Sequence, residues 1–128
     1  MAIALNSRGH TKGQGGDSSG AIADFTAAIE LPGAPSEWVA KALYNRGVTK
    51  EQGGDSSGEI ADYTAAIELP GAPPEQVAHA LNNRGVAKGQ ADDIDGAVAD
   101  LSDIIALKDA PLEIVALARS VLTELDSH

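Results

Sequence analysis

Ala42-Leu43-Tyr44-Asn45-Arg46-Gly47 has two near-copies in this chain: Ala4-Leu5-Asn6-Ser7-Arg8-Gly9 before it and Ala80-Leu81-Asn82-Asn83-Arg84-Gly85 after it. The copies begin at residues 4, 42 and 80, a constant spacing of 38. The sequence between them repeats in phase, Gly15–Gly20 returning as Gly53–Gly58 and Ala27–Pro35 as Ala65–Pro73. A fixed period of about 20–50 residues marks supersecondary units that must stack, because no single unit buries its apolar face alone.

Each unit reads as two helices. In the second, Ser36-Glu37 follows Pro35 and places an acid where the helix dipole favours it. Val39, Ala42, Leu43 and Gly47 then fall on one helical face, and Gly53-Gly54 ends the helix. Asp55 or Ser56 caps the next helix, whose buried face is expected at Ile60, Tyr63, Ala66 and Ile67, and Pro70-Gly71 closes it. The pattern predicts helices over about 2–14, 17–30, 36–52, 55–68, 74–90, 93–107 and 111–126. One repeat domain over 1–128 results, with repeats at about 1–34, 35–72 and 73–110 and a capping helix at 111–126. Helices of this length are marginal alone in water, so stacking must stabilise them.

Nine Lys and Arg against 19 Asp and Glu give a formal charge of −10. Such a balance argues against nucleic acid and anionic membrane as partners, and for neutral or basic protein or peptide partners. Cysteine is absent, which excludes disulfides and thiolate metal sites. The chain has no apolar run of about 18 residues and no signal-like segment at its start, so a cytoplasmic location is expected.

These repeats resemble the tetratricopeptide repeat family. Gly9, Gly47 and Gly85 match the glycine late in its first helix, and Ala21, Phe25 and Ala28 match the small–aromatic–small run of its second. Ala97, Leu101 and Ile104 match that run more loosely. The resemblance implies an all-α, right-handed superhelical solenoid of three antiparallel helix pairs plus a C-terminal capping helix. The period of 38 exceeds the family's usual value of about 34. Ser18 and Ser56 stand where the family has larger side chains, Glu59 replaces a small residue, and an Arg replaces the leucine before each Gly.

Arg8, Arg46 and Arg84 recur in phase with Asp24, Asp62 and Asp100, which predicts a ladder of Arg–carboxylate pairs. The spacing leaves open whether each Arg meets the Asp of its own repeat or the preceding one. Arg46→Leu, restoring the family's apolar residue, is expected to cost little or even stabilise. The Gly-rich turns at Asp17 and Asp55 lack the ending of a phosphate loop and read as helix caps. Asp93-x-Asp95-Gly96 echoes a calcium loop but has Ala91 and Ser102 at the ends where acids are needed. His10, His79 and His128 are not spaced as metal ligands, and no nucleophile motif is present, so neither cofactor, metal nor enzymatic activity is expected.

In the resembled family, ligands lie against the first helices of successive repeats. That places a ligand-binding groove at Asn6, His10, Trp38, Lys41, Tyr44, Asn45, Val48, Glu51, His79, Asn82, Asn83 and Val86. The copies diverge at these places, with His10 against Val48, Lys41 against His79 and Trp38 against Gln76. The family's clamp for C-terminal carboxylates matches at Asn45, whereas Asn6, His79 and Asn83 stand where it needs basic residues. The implied role is a scaffold binding a peptide or partner surface. The last helix offers an alternative: with Val115, Ala118 and Leu122 facing inward, Ile114, Leu117 and Val121 remain as an apolar patch for homo-oligomerisation.

Overall fold

A computed structural model describes residues 1–126, so His128 lies outside the described residues. Seven helices are present among them: α1 Ala2–Gln14, α2 Ser18–Glu30, α3 Ser36–Gln52, α4 Ser56–Glu68, α5 Pro74–Gln90, α6 Ile94–Ala106 and α7 Leu112–Asp126. The second helix of each pair starts one residue later than expected, because Asp17, Asp55 and Asp93 are its caps. Their carboxylates accept the backbone N–H of Gly20, Gly58 and Gly96 at 2.9, 3.0 and 2.9 Å. The turn before each cap needs a left-handed residue, supplied by Gly16 and Gly54 at φ 87° and 80°. Asp92 takes that place in the third repeat at φ 65°, a conformation Asp tolerates better than most residues.

Each second helix packs on the first helix of its own repeat and on that of the next. Among the described residues α1 also touches α3, α3 touches α5 and α5 touches α7, whereas α2 does not reach α4, nor α4 α6. Helices in contact on one side and splayed on the other define a curved stack. The odd-numbered helices line its concave face, and the fold is an α solenoid.

The core runs through the stack without a break. Ile29 packs against both the Phe25 and the Tyr63 clusters, and Ile67 against both the Tyr63 and the Leu101–Ile104 clusters. Alanines at 21, 28, 40, 42, 78 and 80 are fully buried and let the helices approach closely. Val39 and Ile60, expected inside, are half-buried, while the charged Glu59 and Asp62 are buried. Asp62 is inside because it belongs to the ladder.

Arg8, Arg46 and Arg84 each meet the Asp of their own repeat. Arg46 donates from Nε and Nη2 to the two oxygens of Asp62 at 2.9 and 2.7 Å, and the Arg8–Asp24 and Arg84–Asp100 pairs have the same geometry. Lys12, Lys50 and Lys88, one turn on, reach the same carboxylates at 3.2, 3.1 and 3.6 Å. The remaining guanidinium nitrogen ties neighbouring repeats together: Arg46 Nη1 donates to Thr26 Oγ1 at 3.1 Å and Arg84 Nη1 to Thr64 Oγ1 at 3.0 Å. The hydrogen bond from Arg8, more than any other influence, holds the Asp24 carboxyl below its ordinary range.

The face expected on α7 needs correction. Ile114 is buried with Ala118 in the last core cluster, while Val115 is half-buried. Arg119 and Thr123 stand where α5 has Leu81 and Gly85, the residues that meet α6. Ala118 is buried as its counterparts Ala42 and Ala80 are, and Ile114, one turn before it, shares that face.

Candidate functional site in the concave face

Three recesses lie between successive inner helices, at equivalent places in the repeat. The first, between α1 and α3, has a volume of about 250 Å³ and is lined by His10, Gly13, Phe25, Tyr44, Asn45 and Val48 among others. The second, between α3 and α5, is about 110 Å³ and lined by Glu51, Glu59, Asn83, Val86, Ala87 and Gln90. The third, about 290 Å³, lies between α5 and α7, where Val86, Ile94, Leu101, Leu117, Val121 and Leu125 make most of its wall. The three recesses therefore differ in chemistry: the first mixed and aromatic, the second acidic, the third apolar.

Trp38 marks the head of the groove. It is half-buried, and Lys41 Nζ lies 5.3 Å from the centre of its ring, within cation–π range. With Ile3, Ser7, His10 and Asn45 it encloses a further hollow of about 380 Å³. Asn6 sits at the base of that hollow rather than on its surface, being 4% exposed. Its Nδ2 donates to the backbone oxygens of Ala2 and Trp38 at 3.1 and 3.3 Å, so Asn6 holds α1 against the start of α3. These bonds fix the first turn of α3, which carries Trp38.

Tyr44 is likewise fixed by its neighbours. Its hydroxyl accepts from Asn83 Nδ2 at 3.2 Å, and its ring lies 5.9 Å from Tyr63 and 6.0 Å from His79. The same Asn83 amide donates to the Tyr63 hydroxyl at 3.4 Å, and Tyr63 in turn reaches Glu51 Oε2 at 3.5 Å. Burial, above all, holds the Tyr63 phenol protonated beyond its ordinary range, which keeps it a donor to that carboxylate. Asn83 therefore joins the second and third repeats as well as lining the groove.

The expected residues His10, Lys41, Asn45, Val48, Glu51, Asn82 and Val86 all line these hollows. Ile114 lies elsewhere, in the core, while Leu117 and Val121 form part of the third recess. Glu59, Gln90 and Leu125 complete the groove and were not expected there. The signal for Glu59 was available as an acid at a small-residue position. Leu125 gave none, because its placement depends on the turn of α7.

No family profile matches the chain, and no curated protein matches it by sequence. Among solved structures, it is similar to the first tetratricopeptide repeat domain of Spaghetti (RPAP3) bound to the HSP90 peptide SRMEEVD. The match covers 98% of this chain and 95% of that one at a TM-score of 0.74, with 18% sequence identity. The fold is thus that of a tetratricopeptide repeat domain.

Proposed function

We propose that this chain is a protein-interaction scaffold holding an extended peptide, or an extended segment of a partner, along the concave face of α1, α3 and α5. The observation that carries the reading is the change of chemistry from recess to recess at equivalent repeat positions. A spacer built only to stack has no use for that change, whereas a groove reading an asymmetric ligand requires it. The similar domain was solved with a peptide bound, which agrees with this use of the fold. That peptide, SRMEEVD, has three acidic side chains to one basic. Here the chain carries −10 and the groove presents Glu51 and Glu59, so the preferred ligand is neutral or basic.

Trp38 is the anchor in this reading. Trp38→Ala should weaken binding of a partner recovered by pull-down by about 1 kcal/mol or more, measured by calorimetric titration. Tyr44→Phe is the companion variant, since Tyr44→Ala would also release the contacts to Tyr63 and His79. Wild-type affinity in Trp38→Ala, with unchanged circular dichroism, moves the site off the groove.

The exposed apolar side chains around the third recess support a second reading, self-association through α7. Val86 on α5, Ile94 on α6 and Leu117 on α7 are each about half exposed, at 50%, 48% and 50%, and clusters of exposed apolar side chains mark contact surfaces. In this reading wild-type protein sediments as a concentration-dependent dimer and Leu117→Glu as a monomer. A wild-type monomer at high concentration leaves the third recess to the ligand alone.

A further inference from the structure

The first two repeats are almost the same sequence from residues 7–35 to 45–73, differing at Ser7/Asn45, His10/Val48, Gly13/Glu51, Ala21/Glu59 and Phe25/Tyr63. Two of these five differences, Glu51 and Glu59, line the second recess, and a third, Tyr63, reaches Glu51. Positions 13 and 21 face each other across the helix pair, since a Cβ on Gly13 would lie 3.6 Å from that of Ala21; Gly89 and Ala97 repeat the arrangement at 3.8 Å. Only in the second repeat are both places acidic, as Glu51 and Glu59, and there Tyr63 adds the hydroxyl that reaches Glu51.

Glu59 is 3% exposed, and its Oε2 has no hydrogen-bond partner among the described residues. The residues lining the recess include no Lys, Arg or His. Burial, then the charge of Glu51 and a side-chain hydrogen bond with it, push the Glu59 carboxyl above its ordinary value of 4.5, with Asp55 adding to the effect. From α5 the recess is faced by Asn83, Val86, Ala87 and Gln90, none of which supplies a countercharge. A buried acid without its cation destabilises the fold, and a local rule broken at one repeat and kept at the others points to a ligand.

We infer that the recess between α3 and α5 is a subsite for one Lys or Arg side chain of the bound peptide. Its cationic head meets Glu59 and Glu51, and its methylene stem lies along Val86 and Ala87. The recess, at about 110 Å³, is the smallest of the three and fits a single extended side chain. This inference rests on the groove reading above and adds to it the identity of one ligand position. Because the folded-state value of Glu59 is raised, a proton competes with the cation, and binding weakens as the pH falls through that raised value toward 4.5.

The test is carboxyl-carbon NMR of the full chain titrated with N-acetyl-lysine methylamide, N-acetyl-arginine methylamide and the uncharged N-acetyl-norleucine methylamide. The cationic probes should shift the Glu59 and Glu51 carboxyl carbons saturably and norleucine should not. Glu59→Gln should weaken the effect by about tenfold or more. Glu59→Ala serves as the folding control: it restores the residue found at 21 and 97 and should melt no lower than wild type at neutral pH. Unmoved carboxyls, equal shifts from norleucine, or a response to calcium chloride but not to the amines overturns the subsite. The partner recovered by pull-down separates the two readings. Amide shifts along α1 and α3 with the carboxyls unmoved defeat the subsite and leave the groove, and no shift at either place defeats both.

Discussion

Asp62→Ala is expected to destabilise the protein by about 3–5 kcal/mol, the scale seen when one partner of a buried ion pair is removed. The Asp62 side chain is 5% exposed and accepts from both Arg46 and Lys50. Arg46 is itself 20% exposed, enclosed between Asp62 on α4 and Thr26 on α2, and cannot turn out to water without opening the contact between repeats. Asp24→Ala removes the same geometry at the end of the stack and should cost clearly less. There Arg8 is 62% exposed and rehydrates when its partner goes. Arg46→Leu, which restores the leucine typical of the resembled family, was expected from sequence to be nearly silent. With each Arg paired inside its own repeat, that change leaves Asp62 buried on Lys50 alone. Its loss should fall between those of Asp24→Ala and Asp62→Ala. Urea midpoints of the three variants check the order, and equal small losses at 62 and 24 would remove the ladder from the account.

Gly47→Ala is the second large effect, and its contrast with Gly85→Ala is the informative part. In an exposed helix interior, Gly to Ala stabilises by roughly 0.5–1 kcal/mol. At residue 47 the new Cβ would stand 2.6 Å from Tyr63 Cε1. The Tyr63 ring has nowhere to go, being fully buried against Leu43, Ala66 and Ala80 and held at its hydroxyl by Asn83 and Glu51. Overpacking of this kind costs about 1–3 kcal/mol and outweighs the propensity gain. At Gly85 the nearest atom is Asp100 Cβ at 3.4 Å, because Leu101 replaces the aromatic ring. Gly85→Ala should therefore be neutral or slightly stabilising. Thermal unfolding of the two variants decides, and a Gly47→Ala protein as stable as Gly85→Ala contradicts the packing described.

The architecture was legible in the sequence because one signal, the spacing of 38, carries it. Caps, turns and the small residues at helix crossings recur in phase, and each recurrence repeats the same local physics. The ladder was legible as Arg and Asp in phase, but not its register, since a helix pair places an Arg within reach of two second helices. Thr26 and Thr64, which bind those arginines across repeats, also recur at 38, and only their contacts show why. What the repeat could not reveal is whatever departs from it. Ile114 was placed outside because Val115 was taken as the inward residue, yet Ile114 lies one turn before Ala118 and shares its buried face. Asn6 was read as a groove residue from its position in the helix, although hydrogen bonds to Ala2 and Trp38 draw it inside.

The most direct measurement of the central claim is amide NMR of the full chain with and without a partner recovered by pull-down. The account predicts shifts along the inner faces of α1, α3 and α5, strongest around Trp38, Asn45, Val48 and Val86, while the outer faces of α2, α4 and α6 stay in place. Shifts confined to the outer helices, with Trp38 and the three recesses unmoved, would contradict it.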